Sequence, residues 1–509
     1  MKSRTENVTR NLKSSILFQC TNIIIKFLLR TVFIYALGKE YLGVNGVFTN
    51  ILTVLSLSEL GLGTAIVYDM YQPIAENNIE KEIQLFQFYR YIYAIVGGII
   101  LLLGLLLVPF LKYIIKDVPN VSHLYVIYCL QLASTSASYF FAQYRSLLDA
   151  HQLNSINTKN NWIFAVVKTL LQITALLVWK NYILFLLLDL VIVIVSNYAI
   201  SIKCRKLFPY INSSPETQTQ IEYKHILKNA MSTFSIKVGI TVVNATDNLL
   251  ISAFISTLLV GIYSNYSMIT SVITASTMLI SSSLQASVGN LCVSKDYKKI
   301  SDVFERIRFL YVTIYAMVCI GMLSLINPFV ELWAGREYVL DIRIVSVIVL
   351  NLYLTGVHQP IEVFVYADGL FRYFKIKPWI EAAINLVISI LLAKPLGIIG
   401  IFIGTTVSHV TTTLWYDAKI VYKKSLHKAF RTYWNGYLMY LLPTFMMAVM
   451  VGFISNRIEV SMNPYLSFTV KAVVVVGLSV MGWILFFGKT EQFKYYSGTL
   501  TEKIKIRKM

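Results

Sequence analysis

Charge is what this sequence has least of. Only 14% of its 509 residues are Asp, Glu, Lys or Arg, against about 25% in a soluble globular domain. That shortage excludes an ordinary water-soluble chain. Acidic residues are the scarcer sign, 26 against 45 Lys plus Arg. Cysteine is rare as well: Cys20, Cys129, Cys204, Cys292 and Cys319 are scattered, and four of them lie in apolar runs. Neither a disulfide framework nor a metal-ligand spacing can be read from them. The six histidines stand apart, with no HExxH, no nucleophile elbow and no Gly-rich phosphate loop. No catalytic residue, metal ligand or cofactor is therefore expected, and the chain is expected not to be an enzyme. Long polar segments are missing too, so no loop can build an extramembrane domain.

What fills the sequence is apolar: 56% of residues are hydrophobic and the mean hydropathy is +0.63. Many runs reach the roughly 20 residues needed to cross the hydrocarbon core. Fourteen membrane helices are expected near 13–37, 41–69, 84–111, 122–149, 160–179, 181–203, 230–255, 259–292, 307–327, 339–366, 373–393, 396–420, 432–454 and 465–487. The first run is too long for a signal-peptide core and lacks a small-residue cleavage site, so it is read as a retained helix. The fold class is an all-α polytopic membrane protein.

The net charge of +19 raises nucleic acid as a partner, but its distribution argues for a membrane instead. With the N-terminus in the cytoplasm, "KCRK", "SKDYKK", "FRYFKIK", "VYKKSLHK" and the tail "EKIKIRKM" all fall on the cytoplasmic side. That is the positive-inside pattern. It predicts a plasma-membrane protein with both termini in the cytoplasm and no nucleic-acid partner. The stretch "FPYINSSPETQTQ" reads as a polar linker between two halves.

The halves repeat. Adding 218 to each residue number aligns 10–93 with 228–311 without a gap. Asn11 then meets Asn229, Gly43 meets Gly261, Thr53 meets Ser271, Phe86 meets Phe304, Arg90 meets Arg308 and Tyr93 meets Tyr311. Six spans fit within the offset, so the copies share an orientation and are parallel repeats. The expected organisation is an N-lobe at 1–206, a linker at 207–228, a C-lobe at 229–424, and two accessory helices with a basic tail at 425–509.

Helical spacing gathers the polar residues of the first span, Ser15, Gln19, Asn22, Lys26 and Arg30, onto one face. In the seventh span Thr233, Lys237, Thr241, Asn244 and Asn248 do the same, with Asp247 at the edge. Milder stripes occupy the second and eighth spans, Thr49/Thr53/Ser56 and Ser267/Ser271/Thr274, where small polar residues also serve simple helix packing. A charged residue at the bilayer centre costs about 2.5 kcal/mol or more unless it faces protein or water. Lys26 lies too near mid-span to reach an interface, and Lys168 is also deep. Together with Arg30 they outweigh Glu59 and Asp189 in the first half, which implies a positively biased cavity suited to an anionic, hydrophilic solute. Its expected lining is Gln19, Asn22, Lys26, Arg30, Lys168, Lys237, Asn244, Asp247 and Asn248, with Arg90, Arg145 and Arg308 at the cytoplasmic mouth. Arg145 and Asp149 have the i,i+4 spacing of a helix-end ion pair. His358, two residues before Pro360 in "GVHQP", is expected to be incidental to a proline kink.

The stretch 37–78, "LGKEYLGVNGVFTNILTVLSLSELGLGTAIVYDMYQPIAENN", resembles the first-hairpin signature of bacterial polysaccharide transporters. "ATDNLLISAFISTLLVGIYSNYSMI" (245–269) and "SVGNLCVSKD" (287–296) resemble the matching parts of their second lobe. These are the Wzx-type flippases of the multidrug/oligosaccharidyl-lipid/polysaccharide superfamily. The resemblance implies two MATE-like six-helix lobes around a cavity, working by alternating access. It implies an undecaprenyl-pyrophosphate-linked glycan as cargo, moved from the inner to the outer leaflet, among membrane lipids and beside a polymerase and glycosyltransferases. Lys26 and Arg30 occupy the family's first-helix position, and Asp247 with Asn248 its "TDN" segment. A coupling ion, H+ or Na+, is left open. The alternatives are a drug or cation exporter of the same fold, which calls for carboxylates on the first helix, and a membrane polymerase or ligase, which calls for a large outer loop.

Overall fold

The computed structural model describes residues 4–56, 62–115, 121–213, 241, 245–374, 376–458 and 463–498. Among these residues no strand occurs, and eleven helices are long and apolar enough to cross a membrane. Only helices can satisfy every backbone amide within a single apolar segment. In chain order they are α1 (Arg4–Leu55), α2 (Leu62–Ala75), α3 (Ile79–Leu107), α4 (Leu124–Tyr139), α5 (Ala142–Ala150), α6 (Asn154–Trp179) and α7 (Tyr182–Leu207). There follow α8 (245–254), α9 (Thr257–Val293), α10 (Tyr297–Ala334), α11 (Ile342–Ala367) and α12 (Lys377–Leu396). The last three are α13 (Ile398–Lys424), whose residues His409–Thr413 form a π-helical turn, α14 (Arg431–Asn456) and α15 (Pro464–Phe487).

These elements overlap the fourteen expected spans, the seventh only through residue 241 and α8, and eleven of the described helices are long and apolar enough to cross a membrane. α1 holds the first span and most of the second, bent at Gly38, where φ is +81° and ψ −173°. A side chain rarely adopts that φ, and a Cβ there would also sit 3.1 Å from the Glu40 carboxylate. The fourth span is α4 plus α5. Of the seventh, 230–240 and 242–244 lie outside the described residues, as do Glu59, most of the linker and the last of the tail.

The repeat reaches further in the backbone than in the side chains. Gly38, where α1 bends, corresponds under the 218 offset to Ser256, where α8 gives way to α9. The ends at Ala75 and Val293 correspond, as do the starts at Ile79 and Tyr297 and at Leu124 and Ile342. Even the turn between α2 and α3 recurs. Asn77 and Lys295 both adopt positive φ, 52° and 55°. Asn78 caps Lys81 N at 3.0 Å as Asp296 caps Lys299 N at 3.1 Å.

At one point the copies touch. A Cβ added to Gly43 would strike the carbonyl oxygen of Thr257, and one added to Gly261 would lie 2.6 Å from the Lys39 carbonyl. Lys39 and Thr257 are themselves offset by 218, so the contact is reciprocal. A local two-fold runs between Gly43 and Gly261, with the helices too close there for any larger residue.

The chain divides into two compact units, 1–264 and 265–509. In the first, α1 packs on α6, and α4 on α3 and α7, over a core that includes Phe48, Tyr89, Tyr93 and Tyr128. In the second, α10 packs on α11 and α12 on α13, while α14 and α15 both lie against α10. Tyr311, Tyr315, Phe364 and Phe402 fill that core.

Candidate functional site

Within the first unit a cavity of about 380 Å³ opens between α1, α4 and α7. α1 contributes Asn45, Thr49, Leu52, Thr53 and Ser56, so the mild stripe of the second span lines it. α4 adds Gln131, Ser134 and Thr135, and α7 adds Phe185, Leu186 and Asp189. Hydroxyls and amides therefore dominate the polar lining. The Asn45 carboxamide oxygen accepts from Gln131 Nε2 at 3.0 Å and from the Tyr182 hydroxyl at 2.8 Å. The threonines bond back to their own helices, Thr53 to the Thr49 carbonyl at 2.7 Å and Thr135 to the Gln131 carbonyl at 2.9 Å. Gln131 Oε1 is buried and has no hydrogen-bond partner among the described residues. A ligand hydroxyl would satisfy it.

Among the described residues, the one carboxylate in the lining is neutralised. Asp189 accepts from Lys168 Nζ at 2.9 Å and from the Ser134 hydroxyl at 2.6 Å. Lys168 thus serves as a counter-ion to the wall. Arg30 is half-buried on α1 and donates to the Ser264 hydroxyl, which in turn donates to the Gly261 carbonyl at 2.6 Å. Asn22 is half-buried and Lys26 exposed on the same helix.

Asp247 and Asn248 are half-buried on α8, and Asn248 Oδ1 lacks a partner among the described residues. Lys237 and Asn244 lie outside the described residues, as does the side chain of Gln19. Of the arginines, Arg90 is exposed. Arg145 turns to Asn197 at 2.9 Å and to Asn161, whereas Asp149 accepts from Asn157 at 2.8 Å. Amides of α6 and α7 thus take the hydrogen bonds of both groups, while Arg145 and Asp149 remain electrostatic neighbours at the i,i+4 spacing. Arg308 is enclosed by Glu305, the Tyr422 hydroxyl at 3.1 Å and the Tyr440 ring at 5.4 Å.

A second constellation lies in the second unit, on three neighbouring helices. His358 of α11 is buried, so it is no bystander to the Pro360 kink. Its Nε2 comes within 2.9 Å of Asp417 on α13, out of line for a hydrogen bond, and its Nδ1 lies 3.7 Å from Glu362. Lys377 of α12 donates to the same Asp417 oxygen at 2.7 Å and lies 3.6 Å from Glu381. Glu381 accepts from Thr413 at 3.0 Å and stands 3.9 Å from His409 Nδ1. The π-helical turn places both His409 and Thr413 toward α12. Sequence reading missed this cluster as a unit, although its traces were there: His358/Glu362 and Lys377/Glu381 are both i,i+4 pairs.

Among the described residues this architecture is that of an all-helical chain with eleven helices long and apolar enough to cross a membrane. By sequence, no family model and no curated protein matches the chain. By structure it is similar to the lipid II flippase MurJ in an inward closed conformation, at 15% identity and a TM-score of 0.63, over 93% of this chain and 99% of that one. It is likewise similar to a multidrug resistance MATE family transporter of the MOP superfamily in its inward-facing conformation, at 14% identity and a TM-score of 0.63, covering 79% and 96%. The MATE multidrug transporter DinF-BH follows at 14% identity and a TM-score of 0.58, covering 84% and 99%.

Proposed function

We propose that the chain is a bacterial plasma-membrane flippase of the Wzx type, with cytoplasmic termini. It would carry a polyprenyl-pyrophosphate-linked oligosaccharide from the inner to the outer leaflet by alternating access. What supports this reading is a neutral hydroxyl-and-amide cavity lined in part by α1, the helix that also carries Lys26 and Arg30, although neither of the two is in its lining. A planar guanidinium binds phosphate oxygens two at a time, and hydroxyls and amides bind sugars. The lipid tail needs no site, because the bilayer holds it. A drug or cation exporter would want an unpaired carboxylate, and Asp189 already has Lys168 at 2.9 Å. The likeness to a lipid II flippase supports the cargo class, and the likeness to multidrug transporters supports the fold.

The test is flipping of a fluorescent polyprenyl-pyrophosphate oligosaccharide in proteoliposomes. Lys26→Ala and Arg30→Ala should insert normally yet reduce flipping at least tenfold, the loss of about 1.4 kcal/mol or more expected for one charge-assisted phosphate contact. Unchanged flipping in both variants would refute the cationic reading.

A further inference from the structure

The cluster on α11, α12 and α13 is left unused by the function proposed above. It lies wholly within helices of membrane-spanning length and hydropathy, Ile342–Ala367, Lys377–Leu396 and Ile398–Lys424. Two carboxylates, Glu381 and Asp417, lie against a single ammonium, Lys377, and a third, the more exposed Glu362, stands 3.7 Å from His358. With both imidazoles neutral the cluster carries two surplus negative charges; with His358 and His409 protonated it carries none. His358, Asp417 and Lys377 are buried, and a charge surplus among buried side chains is expensive, so a group placed there takes up a proton rather than stay unpaired. Histidine is the side chain built to exchange a proton near neutral pH.

The geometry shows where those protons go. His358 is buried with one ring nitrogen toward Asp417 and the other toward Glu362, so its cationic form has an anion on each side. His409 faces Glu381. Asp417 is 4% exposed, and its Oδ1 has no hydrogen-bond partner among the described residues. Acceptor capacity therefore remains at the centre of the cluster. Among the described residues, phenols also stand near these charges: Tyr366 on α11, Tyr311 and Tyr315 on α10 and Tyr433 on α14.

We propose that His358 and His409 bind the protons that drive transport, and that loading the α11–α13 cluster changes which conformation the chain prefers. Each step moves one proton from water onto an imidazole nitrogen and returns it to water when the cluster reopens. The word transport rests on the reading above; proton binding and its conformational effect do not.

Two substrate-free measurements test it on the purified full-length protein. Deuterium exchange at the imidazole C2 position, read by mass spectrometry from about pH 5 to 9, should show His358 and His409 titrating. Asp417→Asn should lower the His358 midpoint. A His358 that stays neutral throughout, or one indifferent to Asp417→Asn, overturns the proposal. Second, a cysteine at Thr53 reports cavity access through labelling by a charged maleimide. Its rate should change several-fold between about pH 5.5 and 8.5 and should become flat in His358→Gln. The half-buried His409→Gln, which should damp the change, stands in if His358→Gln does not fold. Labelling that ignores pH, or that follows sodium at fixed pH, overturns the proposal. A pH response with no glycolipid flipping would instead count against the flippase reading alone.

Discussion

Replacing Lys377 by methionine isolates the electrostatics of the second unit. Lys377 and Asp417 are 2.7 Å apart, with side chains 14% and 6% exposed. At an effective dielectric of about 20 their attraction is roughly 6 kcal/mol. Part of that offsets the desolvation of two charges, so removing one partner of such a pair costs about 3–5 kcal/mol. Asp417 keeps His358 as a neighbour at 2.9 Å, which sets the expectation at the lower end, about 3 kcal/mol. For a unit of this size that corresponds to a fall of about 6–12 °C in unfolding temperature. Detergent-solubilised protein followed by fluorescence-detected size exclusion after heating would read it. The double variant Lys377→Met/Asp417→Leu should recover about half the loss, because no orphaned charge remains at that point. A single variant that melts with the wild type, or a double variant worse than the sum of its parts, would refute the reasoning.

Gly43→Val and Gly261→Val should each destabilise by about 1–3 kcal/mol through overpacking; thermal unfolding should find them nearly equal, and a large inequality would remove the local two-fold. Gln131→Leu should abolish or strongly reduce glycolipid flipping and also cost about 1–3 kcal/mol of stability, since Gln131 Nε2 donates to Asn45 Oδ1 and to the Tyr182 hydroxyl, both at 3.0 Å; retained flipping would mean that the sugar binds elsewhere. Arg308→Ala should cost about 2–4 kcal/mol, because it empties a socket between α10, α13 and α14, while Arg90→Ala should stay within about 0.5 kcal/mol. Equal effects in a melting assay would contradict the different surroundings of the two arginines.

Spans, count and repeat were legible because apolar length and polar register are properties of single segments. Arg90 and Arg308 align in sequence, yet they differ in fate because α13 and α14 enclose Arg308 within the second unit, while Arg90 is exposed. Gly436 of α14 has no side chain where the Arg308 guanidinium sits, a fit that no periodicity announces. The Thr49/Thr53/Ser56 stripe was visible, but its neighbours Gln131 and Asp189 come from helices far along the chain. His358 illustrates the limit best. Its i,i+4 glutamate was readable, whereas Asp417 and Lys377 join it only once α12 and α13 fold beside α11. Lys168 looked like a cavity cation because its partner, Asp189, is one helix away and the register of α6 against α7 is set by packing.

The crossing at Gly43 and Gly261 has an evolutionary meaning. In a self-paired homodimer, residue i of one subunit meets j of the other while j meets i. Lys39 with Gly261 and Gly43 with Thr257 have that form inside one polypeptide. The contact has the form of a subunit interface from a half-length protein that once paired with itself, now fused head to tail. A change at such a seam originally altered both sides at once, which explains why it stays symmetric. Positions away from that seam are free of the rule: Arg308 is enclosed by α13 and α14, while its counterpart Arg90 is exposed.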